Sequence, residues 1–125
     1  YVQMEGRKPY TTNLDGQCCL SSGPRGVALV PTFSTTTDTD GIVLNLYDAG
    51  TAQLRLRNGT PVTLTTATEY PSEEWIRIAV DPAETSSFAV KLRIPAWCHR
   101  ATIEVNGRKF PTNPNADGYV TIQQS

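Results

Sequence analysis

From Gly41 onward apolar residues recur at every second position, and this period of two constrains the fold more than any other property of the chain. Ile42, Leu44 and Leu46 form one such set, Leu54 and Leu56 lie between Gln53, Arg55 and Arg57, and Val62 and Leu64 lie between threonines. Ile76, Ile78 and Val80 alternate with Arg77 and Ala79, Phe88, Val90, Leu92 and Ile94 alternate with Ala89, Lys91 and Arg93, and Ala101, Ile103 and Val105 alternate with Thr102 and Glu104. With Val120 and Ile122 the pattern predicts about seven strands, each with one apolar and one polar face. A lone sheet of this kind would leave its apolar face wet, so two sheets must pack together. The reading is an all-β fold, an antiparallel β-sandwich.

Turn chemistry falls between the runs. Asn58-Gly59 and Asn106-Gly107 are the strongest signals, because a two-residue type I′ hairpin needs positive φ at both central residues. Asp40-Gly41 and Asp117-Gly118 mark two further corners, and Pro71, Pro82 and Pro95 sit at strand ends, where a missing N–H breaks no ladder.

The first 40 residues differ, being rich in glycine, threonine and polar residues. Ser22 to Val30 reads either as irregular or as a short helix with Ser22 as cap and Pro24 in its first turn, weakened by Gly23 and Gly26. Thr35-Thr36-Thr37 reads as a polar linker. The organisation expected is therefore residues 1–40, irregular or short-helical, followed by a sandwich over 41–125.

With 11 basic against 12 acidic residues and no run of like charge, nothing favours nucleic acid or an anionic membrane as partner. No apolar stretch approaches the roughly 20 residues of a membrane helix. The chain begins at Tyr1 rather than methionine, which reads as a segment of a longer polypeptide, so any catalytic constellation must be tested for completeness.

Cys18-Cys19 is the sharpest chemical feature. Adjacent thiolates can both reach one zinc ion when a turn or helix start splays them, and the alternative is two small buried apolar residues. The remaining soft ligands are Cys98 and His99, far along the chain, and Trp97 and Cys98 read as closing the sandwich core, with His99 exposed. Asp15 and Arg25 flank the pair as pocket residues or as solvated turn residues. Trp75 lies on the opposite face from Ile76 and Ile78, either as an aromatic platform for a sugar ring or packed against another domain. Glu73 and Glu74, adjacent on a presumed strand, point to opposite faces and make no catalytic pair. Asn58-Gly59-Thr60 also fits a glycosylation acceptor.

Taken in order, Asp15-Gly16-Gln17-Cys18-Cys19, Gly23-Pro24-Arg25-Gly26, Gly41-Ile42-Val43-Leu44-Asn45-Leu46-Tyr47, Leu92-Arg93-Ile94-Pro95-Ala96-Trp97-Cys98, Val105-Asn106-Gly107 and Gly118-Tyr119-Val120 resemble the β-L-arabinofuranosidase family of glycoside hydrolases, family 127. The resemblance spans nearly the whole chain and departs from the family's commonest pattern at Leu20-Ser21-Ser22. It implies an upstream α/α barrel as partner domain, with residues 1–40 as the barrel's last strip and a sandwich accessory domain after it. It implies that Cys18 is the nucleophile of a retaining reaction on L-arabinofuranosides and a zinc ligand, and that Cys19 is a second ligand. The remaining ligands, a glutamate and a cysteine, and the acid/base glutamate belong to barrel sequence upstream of Tyr1. The expectation is therefore a carbohydrate substrate and zinc in the intact protein, but neither catalysis nor a bound metal in this chain alone. The competing readings are an autonomous carbohydrate-binding module using Trp75, and a protein-interaction sandwich.

Overall fold

The computed structural model describes residues 18–124 and divides the chain into two compact units, residues 1–30 and 31–125. In the first unit the described element is helix α1, Cys18–Ala28. It starts four residues before Ser22, so Pro24 lies inside the helix rather than in its first turn and has no N–H to offer the carbonyl of Leu20. The helix closes where the Leu29 N–H is shared between the carbonyls of Arg25 and Gly26, 3.2 Å from each.

A single turn of helix, α2 (Val30–Ser34), follows, and among the described residues the second unit then carries nine strands. Four of them, β1 (Thr35–Thr37), β2 (Gly41–Leu44), β6 (Phe88–Arg93) and β9 (Tyr119–Gln124), form one sheet in the order β1-β2-β6-β9. A second sheet runs β3-β4-β5 (Gly50–Arg55, Pro61–Thr68, Ile76–Pro82), and β7 (Ile103–Val105) pairs with β8 (Arg108–Phe110) as a separate hairpin. The all-β sandwich with a short-helical start is thus the observed fold. The threonine run expected as a linker is instead the edge strand β1, with Thr36 opposite Val43. The compact unit accordingly takes in the segment 31–40 as well as the strands after Gly41.

Among the described residues all the strand pairs are antiparallel except β2 with β6, which run parallel with Ile42 opposite Val90 and Leu44 opposite Leu92. Parallel neighbours need a long crossover, and here the entire β3-β4-β5 sheet supplies it. The crossover is what makes the sandwich. Because directly opposed residues share a face, Ile42, Leu44, Phe88 and Val90 point one way and meet Val62 and Leu64 of the other sheet and Leu56 just beyond β3. Ile42, Leu44, Val62 and Leu64 are essentially sealed from water, and burying such a side chain contributes about 1.5–3 kcal/mol each. Further along the same face, Val120 and Ile122 of β9 are covered by Ile103, Val105 and Phe110 from the β7–β8 hairpin, a second core cluster that shares Leu92 with the first.

The parallel pair depends on Gly41. A Cβ at this position would overlap the carbonyl oxygen of Ala89 and come within 2.7 Å of its nitrogen, so the two backbones approach only because no side chain stands between them. The two Asn-Gly turns differ from each other. Asn106 and Gly107 have φ of 50° and 78° and join Val105 directly to Arg108, the type I′ hairpin expected. At Asn58-Gly59 only the glycine has positive φ, 90°; the Gly59 N–H donates to the Leu56 carbonyl and the Leu56 N–H to the Thr60 carbonyl, which makes a three-residue loop closed by a glycine bulge.

Candidate functional site

The cysteine pair stands at the first turn of α1, with Cys18 as its first residue and exposed to solvent. Neither Cys18 nor Cys98 is disulfide-bonded. Arg25, seven residues on, lies about 10 Å along the axis on the same helix face as Cys18, and its guanidinium donates to Ser22 Oγ at 3.1 Å. Asp15 lies outside the described residues. Among the described residues no group of three or more histidine, cysteine or carboxylate side chains is placed to hold a metal ion. A thiol at the exposed start of a helix suits zinc by donor type and accessibility, but a closed zinc site takes four ligands.

Several other candidates sit elsewhere than the pattern suggested. Trp97 does not close the core: the chain turns at Pro95–Cys98, the Cys98 N–H donating to the Pro95 carbonyl at 2.8 Å, and leaves the indole 65% exposed. Cys98 is half-buried and His99 is exposed. Glu73 and Glu74 lie in the loop between β4 and β5 rather than on a strand, because the Ser72 and Glu73 N–H groups fold back onto the Glu69 carbonyl. Both are exposed. Trp75 ends this loop just before β5 and is 69% exposed, while Thr68 Oγ1 donates to its carbonyl at 2.8 Å and pins its backbone. A shallow depression on the second sheet, lined by Gln53, Arg55 and Thr63 among others, holds no carboxylate or histidine.

Two polar clusters at the first sheet escaped the pattern reading. In one, Lys91 Nζ bridges Asp38 Oδ2 at 2.6 Å and Asp40 Oδ2 at 2.7 Å, while Asp38 Oδ1 accepts the N–H groups of Asp40 and Gly41. Burial pushes the Asp38 carboxyl up, but the Lys91 hydrogen bond and the two backbone N–H groups outweigh it and hold it below the ordinary carboxylate value. Lys91 does the same to Asp40, and both carboxylates in turn raise the lysine. In the other cluster, Tyr119 Oη donates to Asn45 Oδ1 at 2.6 Å, and Asn45 Nδ2 donates to the Phe33 carbonyl at 2.9 Å. Tyr47 Oη donates to the Arg93 carbonyl at 2.8 Å, and burial pushes its phenol up to about 12. The only sequence hint was Asn45, an amide inside an apolar run.

In the first cluster the carboxylates are held below their ordinary value, and in the second the Tyr47 phenol is held above its own. Asn45 fastens the α2 end to β9 across the sheet, and the Asp38–Lys91–Asp40 cluster fastens the β1–β2 corner onto β6. Among the described residues, the group suited to covalent chemistry in an accessible position is the Cys18 thiol.

Comparison with known proteins places this architecture. The family model for the β-L-arabinofuranosidase GH127 middle domain matches residues 41–125. No curated protein matches the chain. Among solved structures, a GH127 β-L-arabinofuranosidase, Ara127N-Se from Geobacillus stearothermophilus T6, superposes with a TM-score of 0.79 at 28% identity, over 86% of this chain and 17% of its own. A protein described as a glycoside hydrolase superposes with a TM-score of 0.81 at 26% identity, over 99% of this chain and 21% of its own. The chain thus spans about a fifth of the length of either relative. With its sandwich matched from Gly41 to Ser125, the chain belongs to the GH127 β-L-arabinofuranosidase family, of which it carries the middle domain.

Proposed function

We propose that this chain is the sandwich of a glycoside hydrolase acting on L-arabinofuranosides, together with the segment that brings the nucleophile, Cys18, to a site completed by an α/α barrel upstream. The observation that carries the reading is the extent of the likeness: superposition on a glycoside hydrolase takes in 99% of the chain, so it reaches past the sandwich into the segment that holds the cysteine pair. Cys18 and Cys19 would hold a zinc ion with ligands from the barrel, and bound zinc supplies the positive charge that keeps a thiol ionised and ready to attack. Within this chain α1 presents the Cys18 sulfur to solvent at its first residue. In this reading the job of the sandwich is scaffolding. Two sulfurs make a weak zinc site, so the chain alone neither hydrolyses glycosides nor retains zinc.

The test is paired. The intact protein is assayed on an aryl β-L-arabinofuranoside alongside its Cys18→Ser variant, and zinc is measured on both the intact protein and the isolated chain. Expected are hydrolysis lost by at least about three orders of magnitude in the variant, as for other nucleophile deletions, and one zinc per intact molecule but well under one per isolated chain. Undiminished hydrolysis by Cys18→Ser refutes the nucleophile, and a full equivalent of zinc on the isolated chain refutes the divided site.

The exposure of Trp75 favours a second reading, in which the sandwich itself binds sugar by stacking on the indole. Titration of the isolated chain with arabinose-containing oligosaccharides distinguishes it from a purely supporting role.

A further inference from the structure

The sequence contains two Asn-Gly steps that are chemically equivalent on paper, and the fold makes them unequal. We propose that Asn106 is a site of spontaneous covalent modification, deamidating through attack by its own neighbour, while the fold protects Asn58.

In the reaction the backbone nitrogen of Gly107 attacks Cγ of Asn106. The new N–Cγ bond forms as the Cγ–Nδ2 bond breaks, and the departing group leaves as ammonia with the proton from the attacking amide. The product is a five-membered succinimide. Water then adds to one of its two carbonyl carbons and opens the ring to aspartate or to isoaspartate, in which the main chain runs through the side-chain carbon. No oxidant or reductant takes part, and the only co-reactant is water.

At Asn58 each atom required is occupied. Its Oδ1 accepts the Thr60 N–H at 3.0 Å, its Nδ2 donates to Ser86 Oγ at 3.1 Å, and the nitrogen that would attack, Gly59 N, donates to the Leu56 carbonyl at 2.9 Å. Reaching attack geometry there means breaking all three bonds. At Asn106 and Gly107 no hydrogen bond among the described residues engages the side-chain amide or the glycine nitrogen, and both residues are exposed. The loop contains only these two residues, and both have positive φ.

The consequence follows from the topology. An isoaspartate lengthens the backbone inside a two-residue turn whose strands share only the pairs Ile103–Phe110, Glu104–Lys109 and Val105–Arg108. Losing that register uncovers Val120 and Ile122 on β9. Modification at Asn106 therefore loosens the second core cluster and leaves the first intact.

The purified protein is aged at mildly alkaline pH and physiological temperature, and acid and isoacid products at both positions are quantified by peptide mapping with electron-transfer fragmentation. Expected is conversion at Asn106 faster than at Asn58 by roughly tenfold or more, since hydrogen bonds of ordinary strength must break at Asn58 before the ring can close. Ser86→Ala raises the Asn58 rate several-fold without altering Asn106, and in denaturing urea the two rates converge. Equal or faster conversion at Asn58 in the folded protein overturns the proposal, as does a difference between the sites that persists unchanged in urea.

Discussion

Substituting Gly41 by alanine isolates the contact on which the sandwich depends. A single methyl group at this position overlaps the Ala89 carbonyl oxygen and lies 2.7 Å from the Ala89 nitrogen and 2.9 Å from its carbonyl carbon. All three are backbone atoms in the neighbouring strand, so no rotamer change relieves the collision and β2 must move away from β6. Overpacking of this kind costs about 1–3 kcal/mol. The same movement breaks the hydrogen bond from the Ala89 N–H to the Asp40 carbonyl, 2.9 Å in the native fold, and an unpaired buried amide adds about 1–3 kcal/mol. A total of about 2–6 kcal/mol is a large share of the roughly 5–15 kcal/mol that holds a domain together. At about 4–8 °C per kcal/mol for a domain of this size, the melting temperature should fall by roughly 10–50 °C in a circular dichroism melt. Gly59→Ala is the control, because Gly59 has φ of 90° with no atom within 4 Å, so alanine meets only the left-handed backbone penalty of about 1–2 kcal/mol. If Gly41→Ala melts no lower than Gly59→Ala, close backbone approach is not what position 41 requires and the account of the parallel pair is wrong.

Other perturbations test the remaining contacts. Asn45→Ala leaves the Tyr119 hydroxyl without its acceptor and frees the Phe33 carbonyl; a loss of about 1–3 kcal/mol in urea unfolding is expected, and adding Tyr119→Phe should cost less than it does in the native background. The Asp38–Lys91–Asp40 cluster makes stability depend on pH at both ends. Its carboxylates are lowered from the ordinary 3.8, so their contribution is complete above that value and disappears as pH falls through the folded values beneath it; Lys91 is raised from 10.5, so its contribution persists to that pH and disappears as pH rises above it. Asp38→Asn should flatten the acid limb of the stability profile, and an acid limb identical to that of the unmodified protein would remove the cluster from the account. Trp75→Ala should leave the melting temperature within a few degrees, because its side chain is exposed; if the isolated chain binds arabinose-containing oligosaccharides through this residue, the substitution abolishes the calorimetric signal.

The period-two runs from Ile42 to Ile122 were enough to establish strands with one dry face, and a set of such strands has no stable arrangement other than packed sheets. That inference needs only the alternation of side chains along an extended backbone, which is a local property. The Asn106-Gly107 hairpin was legible as a turn for the same reason, but the same dipeptide at Asn58-Gly59 closes a three-residue loop, so the residues alone do not choose the turn type. The likeness to GH127 proteins was also legible, in the order of short motifs along nearly the whole chain. What the sequence left open were choices between distant partners. No local signal says that β2 takes β6 as a parallel neighbour across an intervening sheet, that Thr35–Thr37 is completed as a strand by Val43 and its neighbours, or that Lys91 finds two aspartates some fifty positions earlier. Trp97, apolar by composition, lies outside the core because the chain turns at Pro95 before the indole reaches the sheet. Asn58 and Asn106 carry the same dipeptide, yet Asn58 lies in a three-residue loop where the Thr60 N–H and Ser86 engage its amide, whereas Asn106 lies in a two-residue turn with positive φ. Pairings of this kind depend on which surfaces meet once the sheets close, and closure is a property of the whole chain rather than of any stretch within it.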